Sequence, residues 1–120
     1  MNTKIEKFED LQIWQRSMDF VCKVYELFEH SRDFGFKDQI QRASVSIPAN
    51  ISEGFERHTN KEFVRFLFIA RGSCGECRTL LYLAKRIKYL EGPIADGLID
   101  EIKQISSMIY GLIKTRQKDF

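Results

Sequence analysis

From Asn60 to Leu90 the chain contains no proline, and Phe63, Leu67, Ala70, Cys74, Cys77, Leu81 and Ala84 recur at alternating steps of four and three. Residues so spaced share one face of an α-helix, so the pattern predicts a rod of roughly 45 Å at ~1.5 Å rise per residue. Thr59 followed by Glu62 has the capping-box spacing, in which the hydroxyl accepts from a free N–H and the carboxylate reaches back. The middle of the rod, Ala70 to Gly75, is built of small residues apart from Arg71. Gly72 and Gly75 each cost a helix about 1 kcal/mol relative to alanine. The expectation is that a second helix approaches closely there and offsets the cost.

A helix this long needs partners, and the rest of the chain supplies three. Leu11, Trp14, Met18, Val21, Tyr25 and Phe28 form one apolar stripe, with Ile13, Phe20, Val24 and Leu27 beside it as a second. The double stripe fits either a deeply buried helix or one that also meets another subunit, and leaves open which stripe faces inward. Ser31 to Gly35 reads as a turn. A second helix follows from about Phe36 through Ile47 and on toward Glu53, with Ile40, Ala43, Val45, Ile47 and Ile51 as its apolar positions. Pro48 lacks an N–H and clashes with the preceding turn, so it should kink or restart this helix. Gly54 reads as its end. Glu91-Gly92-Pro93 is a stop-and-restart signal, after which Ile94, Leu98, Ile102, Ile105, Ile109 and Leu112 carry a fourth helix. No stretch alternates as a strand would. Short connections favour antiparallel neighbours, so the expected fold is all-α: an antiparallel up-down-up-down four-helix bundle spanning residues 1–120 as one domain, its second helix kinked at Pro48.

Composition narrows the function classes. Hydrophobic residues at 43% and charged residues at 30% exclude a disordered tail. No apolar run approaches the ~20 residues a bilayer span needs, and Met1 to Asp10 lacks a signal-type apolar core. The expected setting is the cytoplasm, with no membrane partner. In that setting three cysteines do not suggest a disulfide framework. The net charge of +2 is too small to imply nucleic acid by itself, so such a reading needs a local patch.

The stretch Ala43-Ser-Val-Ser-Ile-Pro-Ala-Asn-Ile-Ser-Glu-Gly-Phe-Glu-Arg57, the later Lys61-Glu-Phe-Val-Arg-Phe-Leu67 and Ala70-Arg-Gly-Ser73, and the opening Phe8-Glu-Asp-Leu-Gln-Ile-Trp14 resemble the 23S rRNA intervening-sequence protein family. The resemblance spans nearly the whole chain. It implies a small four-helix bundle that assembles as a homopentamer. Many family members are encoded inside an insertion in the large-subunit rRNA gene. A related group, the accessory variability determinant of diversity-generating retroelements, binds nucleic acid and a reverse transcriptase. This chain departs from the pattern at Cys74-Gly-Glu-Cys77, where an aliphatic residue is expected; the departure bears on local helix packing, not on the fold.

Basic residues of the third helix are the leading site candidates. Arg71, Arg78 and Lys85 are seven residues apart and share one narrow arc, while Lys61, Arg65 and Arg86 lie roughly 60–120° around from Arg71. Between Thr59 and Glu91 there are seven basic and three acidic residues, a local excess twice the charge of the whole chain. Such a face suits phosphate tracking, and several copies around an axis would add their fields. The bland alternative is a solvated helix face. At the bundle end, Arg57, Lys61 and Arg65 should approach Lys114, Arg116 and Lys118, but Glu53, Glu56, Glu62 and Asp119 should lie there too, so a mixed, ion-paired surface is expected. Glu53 reads as a partner for exposed backbone or a nearby arginine.

Other constellations are weaker. Cys74 and Cys77 form a C-x-x-C in mid-helix with no strand before it, unlike a redox site, and His30, His58 and Cys22 are too scattered to complete a zinc site. Packing is the expected role of these cysteines. Trp14, Phe63, Phe66 and Phe68 could stack on bases, but at helical spacing they read as core or interface. Phosphate-loop, Rossmann and hydrolase motifs are absent, so no catalytic residue, metal or cofactor is expected. The favoured reading is a non-catalytic oligomer that binds structured RNA or other nucleic acid through Arg71, Arg78, Lys85, Lys61 and Arg65, with Arg57 beside them. The alternative is a protein–protein scaffold that recruits an enzyme such as a reverse transcriptase.

Overall fold

The structure, a computed structural model, describes residues 5–119. A 3-10 turn at Phe8–Asp10 leads into four α-helices: α1, Gln12–Leu27; α2, Phe34–Phe55; α3, Asn60–Arg86; and α4, Gly92–Asp119. No strand occurs among the described residues. The fold is an all-α four-helix bundle of 46 × 23 × 20 Å. Helix α2 packs between α1 and α3, α3 packs on α4, and α4 meets α1 over a smaller seam. Asn60 Nδ2 donates to the Arg116 carbonyl at 3.1 Å, and Lys85 Nζ donates to Asp96 at 2.7 Å. The start of α3 therefore lies beside the end of α4, and the end of α3 beside the start of α4.

One hydrophobic cluster runs from Leu11 to Ile113. All seven residues of the α3 stripe enter it. Ile13, Phe20 and Val24 of the second α1 stripe are buried, as are Leu11 and Phe28 at the two ends of the first, while Met18 and Tyr25 of the first are 39% and 45% exposed. Leu27 is exposed as well. The buried Ser17 hydroxyl donates to the Trp14 carbonyl at 2.9 Å, so it adds no unpaired polar atom to the core. Arg16 crosses the α1–α4 seam, pairing with Glu101 and donating to Gln104 Oε1 at 2.9 Å.

Several boundaries differ from expectation for local reasons. Helix α2 begins at Phe34, inside the expected turn, because Asp33 Oδ1 caps it by accepting from the Phe36 N–H at 3.1 Å. It continues through the buried Pro48 without restarting. Gly54 lies inside α2 and does not end it. A Cβ there would stand 2.6 Å from the Phe66 Cβ, so glycine is required by the close approach of α3. Val45 and Ile94, expected in the core, are exposed, whereas Ala95 and Ile113 of α4 are fully buried.

Helix α3 opens on Thr59, whose Oγ1 accepts from the Glu62 N–H at 3.1 Å. The Glu62 carboxylate faces Arg65 at 3.6 Å. At the other end α3 stops at Arg86, short of Leu90. The chain turns there through Lys88 at φ 64°, with the Tyr89 N–H on the Ala84 carbonyl at 2.8 Å and the Lys88 N–H on the Lys85 carbonyl at 3.2 Å. This is the paired bonding of a Schellman close, made with lysine where glycine is usual. The close approach expected at Gly72 and Gly75 is absent within the described chain: a Cβ at either position would meet nothing within 4 Å.

Candidate nucleic-acid interface

The gap beside those two glycines is a cleft of about 300 Å³ between α3 and α4. Helix α3 contributes Phe68, Arg71, Gly72, Gly75 and Arg78; α4 contributes Ile102 and Ser106. The absence of side chains at Gly72 and Gly75 opens it. No acidic residue lines it.

Arg71 and Arg78 both stand at this cleft, and neither belongs to an ion pair among the described residues. Arg71 is held by a different kind of contact: its guanidinium carbon lies 4.4 Å from the centre of the Tyr110 ring on α4. Lys114 Nζ lies 5.6 Å from the centre of the same ring, so two cations share one aromatic side chain. Arg78 has no aromatic neighbour of this kind among the described residues. These positive groups are therefore available to a polyanion.

The other expected site residues divide. Lys85 lies on the same arc as Arg71 and Arg78, but Asp96 neutralises it at 2.7 Å. Lys61 sits in a shallow hollow with Asn60, Val64 and Arg116, away from the cleft. Arg65 pairs with Glu62, and Arg57 with Glu53 at 3.9 Å. Both guanidinium groups also lie over the Phe66 ring, at 5.5 and 4.8 Å. Glu53 is thus the partner of an arginine, and this end of the bundle carries the mixed, ion-paired surface its composition suggested. The Asp119 side chain lies outside the described residues.

Cys74 and Cys77 are 1% and 0% exposed. Desolvation pushes the Cys74 thiol up to about 12, and burial raises the Cys77 thiol as well. Both are neutral packing groups, with no thiolate to compete for the arginines. Among the described residues no group of three or more His, Cys, Asp or Glu side chains is placed to hold a metal ion. None of their helices is long and apolar enough to cross a membrane. Of the four candidate stacking aromatics, Phe63 and Phe66 are buried and Trp14 packs partly buried against the core. Phe68 is not part of the core: it is 44% exposed at the cleft.

Sequence reasoning missed Ser106 and Tyr110. Their signal was a row of α4 that leaves the aliphatic stripe at Ile102 and continues through Ser106 and Tyr110 at steps of four.

Fold and surface together define a small all-α bundle with an unneutralised, arginine-flanked cleft between its two longest helices. The chain belongs to the 23S rRNA-intervening sequence protein family, whose model matches residues 9–111. It is also similar to the crystal structure of a protein with unknown function from the S23 ribosomal protein family of Bacteroides thetaiotaomicron. The two share 24% identity and a TM-score of 0.80, over 85% of this chain and 98% of that one. That likeness carries the fold. No curated protein matches the chain.

Proposed function

We propose that this protein is a non-catalytic, cytoplasmic homo-oligomer, pentameric as the family resemblance implies, that binds structured RNA through its phosphate backbone. The observation that carries the reading is the pair Arg71 and Arg78, on one arc of α3 with no carboxylate paired to either among the described residues. The mechanism is counterion release: guanidinium groups displace the cations condensed on the polyanion, and the shape of the phosphate backbone is read. Lys114 adds to the same patch, while Lys85, Arg65 and Arg57, offset by carboxylates, contribute less. The family's name refers to 23S rRNA, a structured polyanion of the kind this patch suits.

Assembly multiplies the effect, because copies around an axis sum their positive fields. The open α1 face with Met18 and Tyr25 supports self-association, since a surface of this kind gains from burial against a second copy.

The test is fluorescence anisotropy with rRNA fragments across a salt series, alongside light scattering for mass. Affinity should fall steeply from low to moderate salt. Arg71→Glu with Arg78→Glu should abolish binding while the helical circular dichroism is kept. Binding indifferent to salt, or to the double reversal, overturns the reading.

A further inference from the structure

We propose that the α3–α4 cleft seats one unpaired nucleotide of a single-stranded nucleic-acid segment, its base against Phe68 and its flanking phosphates on Arg71 and Arg78. The inference rests on the reading above and adds to it a preference for unpaired over duplex segments.

Three features of the cleft converge on that occupant. The first is charge. Arg71 and Arg78 stand at one cleft, unpaired by any described carboxylate, and no acidic side chain lines it. At ~1.5 Å rise, seven residues separate their backbones by about 10 Å, so together they reach successive phosphates better than a single small anion.

The second feature is the lining. Phe68 is 44% exposed at the cleft although its helix has a complete apolar stripe elsewhere, so the core does not use this ring. A flat aromatic ring beside cations is the combination by which proteins hold splayed-out bases, because stacking and phosphate pairing act at the same nucleotide. The Ser106 hydroxyl lines the opposite wall and makes no hydrogen bond among the described residues, so it remains available to a base edge.

The third feature is space. The cleft holds about 300 Å³, and beyond the adjoining turns of α3 itself no atom lies within 4 Å of where a Cβ would sit at Gly72 or Gly75. The bare backbone there admits a planar group that a larger side chain would exclude. A stacked duplex base cannot enter, so the occupant must be unpaired.

The experiment compares the full chain's affinity for a short labelled oligouridylate with that for an RNA hairpin stem of equal phosphate count, at one salt concentration. Phe68→Ala should weaken oligouridylate binding about tenfold, the loss expected for one stacked base, and leave the stem unchanged. Gly75→Leu puts a side chain into the cleft from a position where a Cβ has room, and should act in the same direction. Equal losses on both ligands, or no loss on either, overturn the inference while the phosphate-binding reading stands. A change in oligomeric mass with Gly75→Leu overturns it as well, by assigning the cleft to a second copy of the chain. Arg71→Glu with Arg78→Glu leaving both ligands bound overturns the phosphate-binding reading itself.

Discussion

The Arg71 guanidinium carbon stands 4.4 Å from the centre of the Tyr110 ring, a contact that ties α3 to α4 beside the cleft. The contact positions the arginine without neutralising it, because a ring face attracts a cation but carries no net charge. A carboxylate at the same place would hold the side chain equally well and remove its use to a polyanion.

Replacing Tyr110 should therefore loosen Arg71 and leave the bundle intact. An exposed cation–π contact contributes about 0.5–1 kcal/mol, so Tyr110→Leu should weaken nucleic-acid binding by about two- to fivefold. Tyr110→Phe keeps the ring face and should bind as the parent does. Anisotropy titrations of the three proteins, with circular dichroism as the fold control, decide this.

Glycines in this chain do opposite jobs, and alanine substitution should separate them. At Gly54 a new Cβ would stand 2.6 Å from the Phe66 Cβ, a contact that cannot be made without moving α3. Gly54→Ala should destabilise by about 1–3 kcal/mol, the usual cost of overpacking. At Gly75 a Cβ meets nothing within 4 Å, so Gly75→Ala should stabilise by about 1 kcal/mol through helix propensity alone. Urea midpoints measured under one set of conditions should move in opposite directions.

These glycines also show what the sequence could and could not reveal. The three-four rhythm of α3 located seven residues of its buried face, since that face is a property of one helix, and left out Phe66 and Leu80 at its edges. Gly54 lay in a position that also suits a helix end, and only the arrival of Phe66 from the next helix identifies its role. The same limit applies to the cleft. Arg71 and Arg78 were legible because they share one helix, but Tyr110 and Ser106 sit on another, and which rows face each other depends on packing angle. Pairing follows the same logic: Arg57–Glu53 is a four-residue relationship, whereas Lys85–Asp96 joins two helices across the turn at 87–91.

Lys88 holds the left-handed position that closes α3, at φ 64°. An L side chain costs roughly 1–2 kcal/mol in that conformation, whereas glycine adopts it freely. Lys88→Gly should therefore stabilise the protein, by about 1 kcal/mol once the extra freedom of glycine in the unfolded chain is subtracted. Thermal unfolding by calorimetry should show a higher midpoint for the variant.

Asp33 and Tyr89 give stability a defined pH window. The Tyr89 hydroxyl donates to Asp33 Oδ2 at 2.6 Å, and the Phe36 N–H donates to Oδ1. The hydroxyl first, and then the amide, hold the Asp33 carboxyl below its ordinary value; the same bond to Asp33 raises the Tyr89 phenol above its own. A depressed acid stabilises the fold fully above its unfolded value of about 3.9 and loses that contribution as pH falls through the folded one. A raised phenol contributes fully below its unfolded value of about 10 and loses it as pH climbs through the folded one. Tyr89→Phe removes the bond from both partners. Its urea midpoint should lie below that of the parent by a constant amount between about pH 4 and 10, with the gap narrowing on either side. A gap that persists unchanged into acid would overturn the assignment to the Asp33 carboxylate, because the ring's packing on Phe36, 5.4 Å away between ring centres, is kept by phenylalanine and cannot supply it.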